Sequence, residues 1–247
     1  MRKKTSRALC VLACLALQPM SHAAISLDRT RIIYDEQQKS VSLALSNENA
    51  KLPYLAQGWL ENEKGEKLKL PFTVLPPVQR IEPGEKSQLK VQALLSAKQL
   101  PADRESVYYF NLREIPPRSE ESNTLQIALQ TRIKMFYRPK SLFVERPDLV
   151  KPWQESITLT REGDKYRVHN PTGYFVTLVD ASQKYKGQTV SGFEAVMIEP
   201  KGNTLLNVSA TQLGSAPALT YVNDFGARPV MIFNCQGSEC RFSESKM

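Results

Sequence analysis

The sequence predicts an all-β protein built as two β-sandwich domains. Three observations carry this. Apolar and polar residues alternate in short runs along most of the chain, turn residues interrupt those runs at close intervals, and no stretch shows the 3.6-residue apolar period of a long amphipathic helix. A passage marked by Pro139, Pro147 and Pro152 separates two sets of such runs, which divides the chain into an N-terminal domain, 24–142, and a C-terminal domain, 143–247.

The chain opens with MRKKTSRALCVLACLALQPMSHA, a basic start, an apolar run from Ala8 to Leu17, and a small-x-small site at Ser21-His22-Ala23. These are the parts of a secretory signal peptide, 1–23, cleaved so that the mature chain begins at Ala24. Val11 to Cys14 offers a lipoprotein-type alternative, but cutting there would leave half the apolar run on the product. No later segment approaches the roughly twenty consecutive apolar residues of a membrane span, so no membrane insertion is expected. Residues 1 to 23 hold four basic and no acidic side chains, so cleavage leaves 29 basic against 25 acidic residues, a formal charge of +4. Lys and Glu are interspersed without an arginine-rich block, and nucleic-acid binding is not predicted.

In the first domain the alternating runs are Ala24 to Tyr34, Ser40 to Ser46, Tyr54 to Glu61, Phe72 to Leu75, Ser87 to Leu94, Ser106 to Ile115 and Asn123 to Tyr137. Seven strands at this spacing predict an immunoglobulin-like sandwich, with Trp59 suited to its aromatic core position. Pro76-Pro77 and Pro83-Gly84 mark loops between strands. The second domain offers Ser156 to Thr160, Tyr166 to His169, Tyr174 to Asp180, Glu194 to Ile198, Gly202 to Val208, Leu219 to Asn223, Pro229 to Asn234 and Cys240 to Phe242, a second β-sandwich. Cys235 and Cys240 flank Gln-Gly-Ser-Glu, and in an exported chain they are read as a disulfide closing a hairpin. Zinc is the competing reading, but it wants four ligands and His169 is the one histidine that survives cleavage, so no metal is expected.

The longest run, NTLQIALQTRIKMFYRP, alternates Leu125, Ile127, Leu129, Thr131, Ile133 and Met135 with polar residues. At roughly 3.3 Å per residue it would exceed an ordinary strand several-fold in length. It is either a long core strand of its own sheet or a strand partly meant for another chain, since an apolar edge is a template for strand addition.

Catalytic constellations are sparse. His169 has no Ser, Cys or carboxylate partner in a familiar motif, no nucleotide or hydrolase motif is present, and pairs such as Glu120 with Glu121 sit in polar turns. No enzyme and no cofactor are predicted. Two cations interrupt apolar strands instead: Arg31 in DRTRIIY and Lys134 in RIKMFYRP. Each either snorkels to solvent or finds an anion, and a guanidinium fork with an ammonium suits a carboxylate such as a chain terminus.

Several segments then become familiar together: LPADRESVYYFNLREIP, DRTRIIYD, NENAKLPYLAQGWLENE, LPPVQRIEPGEKS, LQIALQTRIKMFYRP, NPTGYFVTL and YVNDFGARPV. They resemble, across the whole mature chain, the periplasmic pilus chaperones of the chaperone–usher pathway, most strongly those serving P pili. The resemblance implies two immunoglobulin-like domains set as a boomerang, and a periplasmic protein that binds, folds and caps pilus subunits before delivery to the outer-membrane usher. Arg31 and Lys134 match the pair that anchors the subunit's C-terminal carboxylate. Leu125, Ile127 and Leu129 match the strand lent to the subunit in donor-strand complementation. Glu105, Arg138 and Asp224 match an interdomain charge network, Thr30 and Thr177 line the cleft, and Cys235 and Cys240 match a disulfide of part of the family. The short segment between Ile115 and Asn123 resembles the short-loop subclass, associated with rod-like pili. A free chaperone capping its own strand as a homodimer belongs to the same expectation. The rivals are a pilus subunit or sugar-binding sandwich, and a periplasmic hydrolase.

Overall fold

The computed structural model describes residues 23–119, 123–145 and 151–247; the expected leader, apart from Ala23, and Pro147 of the expected linker lie outside them. The first set of strands is β1 (Ile25–Leu27), β2 (Arg31–Asp35), β3 (Ser40–Asn47), β4 (Tyr54–Glu61) and β5 (Lys67–Leu68). It continues with β6 (Phe72–Leu75), β7 (Val78–Ile81), β8 (Lys86–Ala93), β9 (Ser106–Ile115) and β10 (Gln130–Arg138). One sheet runs β1-β3-β8-β6; the other runs β2-β10-β9-β4-β5, with β7 also on β4. Between them lies one apolar core that includes Tyr34, Leu43, Phe72, Leu89, Phe110 and Met135. Phe72 sits 5.1 Å from the rings of both Tyr34 and Tyr108, and each such buried side chain contributes about 1.5 to 3 kcal/mol.

Three expectations about this domain change. The run Ala24 to Tyr34 is two strands, because the chain bends at Asp28–Thr30, where Asp28 N–H donates to Ala44 C=O at 3.2 Å, and crosses from one sheet to the other. Trp59 is not in the core: Ala56, Gly58 and Leu60 face inwards, and alternation sends Trp59 to the outer face, where its Nε1 donates to Glu61 at 2.7 Å. The strand expected from Asn123 begins only at Gln130: Leu129 still accepts from the Glu114 N–H, but among the described residues no regular strand pairing extends before Gln130. The short strands β5 and β7 fall in a proline-rich and turn-rich stretch that pattern alone reads as loop. Cis peptide bonds precede Pro71 and Pro76.

The second set comprises β11 (Thr158–Glu162), β12 (Lys165–His169), β13 (Val176–Ser182), β14 (Val196–Ile198) and β15 (Asn203–Leu205). It ends with β16 (Ala218–Tyr221), β17 (Val230–Gln236) and β18 (Glu239–Lys246). Hydrogen bonding runs continuously in the order β14-β13-β16-β17-β18-β11-β12-β15. This ladder wraps a single core, since Leu159 and Val168 from one end pack in the same cluster as Val176 and Leu178 from the other. A one-turn helix, α1 (Ala210–Leu213), is started by a capping box in which Ser209 and Gln212 satisfy each other's backbone N–H groups. Cys235 and Cys240 are directly opposed in the β17–β18 hairpin and form the disulfide.

Candidate functional site

Strand β10 organises the junction between the two sandwiches. It pairs with β9 along nearly its whole length, but with parallel β2 only from Lys134 to Arg138. Alternation sends Ile133, Met135 and Tyr137 into the first core and turns Lys134, Phe136 and Arg138 to the opposite face. There each meets the second sandwich: Lys134 Nζ donates to Thr177 Oγ1 at 3.4 Å, Phe136 lies 5.7 Å from the Phe175 ring, and Arg138 binds Asp224.

Lys134 and Arg31 are register partners in the parallel pair, so an ammonium and a guanidinium project side by side. Arg31 Nη1 donates to Val222 C=O at 3.1 Å, while its Nε is buried with no acceptor among the described residues. Burial lowers the Arg31 pKa, a shift opposed by Asp224 and Glu105, both of which are bound to Arg138. Burial, then the neighbouring charges of Arg31 and Arg132, lower Lys134 to about 8. Among the described residues neither Arg31 nor Lys134 has a carboxylate in ion-pair range. A pair of half-buried cations held together in this way favours a carboxylate placed between them.

The three residues of the expected charge network do meet. Arg138 Nε donates to Glu105 at 2.8 Å, and its Nη1 and Nη2 grip Asp224 at 2.7 and 3.1 Å. Glu105 is 4% exposed and also accepts the Phe175 N–H at 2.8 Å. Burial pushes its carboxyl up to about 7 against the pull of Arg138. For Arg138 itself burial acts downwards, but Asp224 and Glu105 outweigh it and raise the pKa. The network thus ties the residue preceding β9, the end of β10 and the loop after β16 across the junction.

Of the expected cleft-lining residues, Thr177 is buried against Lys134 and Thr30 is exposed beside Gly226. Leu125, Ile127 and Leu129 are 84%, 65% and 43% exposed, and share the parity of Ile133 and Met135. They therefore continue the core-facing row of β10 beyond the end of its own sandwich. Leu129 C=O accepts the Glu114 N–H at 3.0 Å, keeping the segment on the line of β9.

Other parts of the junction were not singled out from the sequence. Trp153 and Tyr174 stack 4.2 Å apart, with the Arg138 guanidinium 4.9 and 5.0 Å from their ring centres. Gly226 has φ +83°, and a Cβ there would lie 2.6 Å from Thr30 Oγ1, so the two domains approach through a position open only to glycine. The signal was present but unread, since Tyr174 and Gly226 stand inside NPTGYFVTL and YVNDFGARPV.

Residues 24–143 match the family described as pili and flagellar-assembly chaperone, PapD N-terminal domain, and residues 152–232 match pili assembly chaperone PapD, C-terminal domain. The probable fimbrial chaperone YfcS of Escherichia coli is 52% identical over 224 residues, which span 91% of this chain and 88% of that protein. Chaperone protein PapD of Escherichia coli is 48% identical over 225 residues, 91% of this chain and 92% of that one. Among solved structures the periplasmic chaperone SfaE superposes with a TM-score of 0.66 and 31% identity, covering 83% of this chain and 95% of its own. With both of its sandwiches matched in order, the chain belongs to the family of pilus assembly chaperones.

Proposed function

We propose that this protein works in the periplasm without catalysis, as a chaperone that captures pilus subunits by lending them Leu125, Ile127 and Leu129 and hands them to the outer-membrane usher. The observation that carries the proposal is the edge of β10. On the β2 side, Gln130–Ile133 have no neighbouring strand among the described residues, and β2 begins opposite Lys134. A strand added along this edge therefore ends head-on at Arg31. If its C-terminal carboxylate sits between Arg31 and Lys134, it runs in the direction of β2, parallel to β10.

The energetics support such a complex. Each apolar side chain buried in a subunit groove is worth about 1.5 to 3 kcal/mol before ordering losses, and each charge-assisted hydrogen bond to the carboxylate about 1.5 to 3 kcal/mol. Backbone pairing adds affinity with little sequence demand, so the carboxylate anchor sets the register. Thr30 and Thr177 line the approach, and Glu105, Arg138 and Asp224 hold the two domains, 24–142 and 143–247, at a working angle. When no subunit is bound, a second copy covers the exposed row as a homodimer.

The test is a pull-down from periplasmic extract with tagged mature protein beside Lys134→Ala, the bound chains being identified by mass. Small pilins retained by the wild type and lost by the variant are expected. Absence of any bound pilin, with subunits demonstrably co-expressed, would reject the proposal.

A further inference from the structure

Beyond the anchor pair, the outer face of the sheet carries ordered charges, in which Arg132 donates to Glu61 and Arg113 to Gln130. Register sets them in rows. In the row of the anchor, Arg31 and Lys134 are followed by Tyr109, Glu61 and Lys67; the next holds Arg132, Asn111 and Trp59; the third holds Gln130, Arg113 and Gln57. Besides the anchor pair, these rows contain three cations, Lys67, Arg132 and Arg113, and one carboxylate, Glu61. That carboxylate is already engaged, accepting from Trp59 Nε1 at 2.7 Å and Arg132 Nε at 3.2 Å.

The cations are also held in place. The Arg132 guanidinium lies 3.6 Å from the Tyr109 ring centre, and Trp59 carries Lys67 Nζ at 4.4 Å and Arg113 at 5.2 Å. Long basic side chains resting on rings lose less conformational freedom on meeting a partner than free ones do. A one-sign surplus fixed over a half-exposed sheet attracts anionic surfaces and speeds encounter.

We infer that this face is a second docking surface, one that takes acidic side chains of the captured subunit. The inference rests on the strand-lending function and follows from continuity with its edge. For a strand that runs parallel to β10 and ends at Arg31 and Lys134, each two-residue step back from the terminus advances one row. Its outward side chains thus come level first with Arg132 and then with Gln130 and Arg113. Carboxylates at those outward positions, and on the subunit surface beside them, meet the surplus cations.

The test uses the full mature chain and a synthetic peptide of the C-terminal strand of whichever pilin the wild type retains. Three forms of the peptide are compared: native, with its internal Asp and Glu changed to Asn and Gln, and with its C-terminal carboxylate amidated. Against native peptide at low salt, the Lys67→Gln/Arg113→Gln variant is expected to bind several-fold more weakly, chiefly through Arg113, and to show a shallower salt dependence, because Arg132 and the anchor pair remain. Arg132→Gln, measured separately, should move the same way, while both variants still prefer the free carboxylate to the amide. Salt dependence unchanged in the variants, or unchanged by neutralising the peptide's acidic residues, would overturn this surface. Wild-type protein binding acid and amide equally would instead reject the anchor and the strand-lending function beneath it.

Discussion

Lys134 is kept charged at a cost, with burial and the Arg31 guanidinium lowering its pKa from 10.5 to about 8. Between those two pH values the unfolded chain binds more protons than the folded one, so stability rises with pH across that window and the full cost is felt below it. The difference in Tm between Lys134→Met and wild type should therefore narrow from pH 8 to 10.5, and a constant difference would remove burial as the cause. A bound carboxylate needs the protonated lysine, so wild-type affinity for a subunit is expected to fall as pH rises above about 8. In Lys134→Arg that decline should vanish. Lys134→Ala and Arg31→Ala are expected to keep the fold and lose capture, checked by circular dichroism beside recovery of pilin complexes. Both cations were legible because each interrupts an apolar strand. Their side-by-side placement was implied only by the family resemblance and not by local pattern, since it arises from a parallel pairing between distant segments.

The β10 segment shows what an element's pattern can and cannot say. Alternation from Leu125 to Met135 reads as one continuous strand, but the strand begins only at Gln130, where the regular pairing with β9 starts. Ile127→Asp should weaken capture by about tenfold or more, because a carboxylate enters an apolar groove; an unaltered subunit affinity would count against strand lending. Inserting one alanine after Leu129 is a stricter test. The sandwich should fold, because its strand starts at Gln130, but Leu125, Ile127 and Leu129 would turn to the opposite face and capture should fail. Trp59 shows the same limit from another side. A period of two marks a strand without saying which phase faces the core, and here the small residues Ala56 and Gly58 are inside.

At the scale of the whole molecule, the two sandwiches are joined by buried polar contacts as well as apolar ones. Arg138→Ala would leave Glu105 and Asp224 facing each other without their shared cation, and breaking a buried pair in this way costs about 3 to 5 kcal/mol. The expected result is a lower melting temperature together with a wider distribution of interdomain angles in solution scattering; an unchanged scattering profile would confine the network to stability. Gly226→Ala should perturb the junction without touching a charge, because the new methyl meets Thr30 at a positive φ. The Trp153–Tyr174 platform beneath Arg138 explains why this guanidinium is fixed in a plane.

The sequence by itself determined the all-β class, most strand positions, the hairpin cysteines and the residue types of the charged sites. All of these rest on local alternation, turn chemistry and motif order. Tertiary structure alone decided that β1 and β2 enter different sheets, that the strands of the second domain form one continuous ladder, and that Arg31 and Lys134 lie in register on adjacent strands with Thr177 against the lysine. The physical reason is range: a period of two is a property of neighbours in the chain, whereas sheet order, face and the company a charge keeps depend on contacts between segments far apart along it.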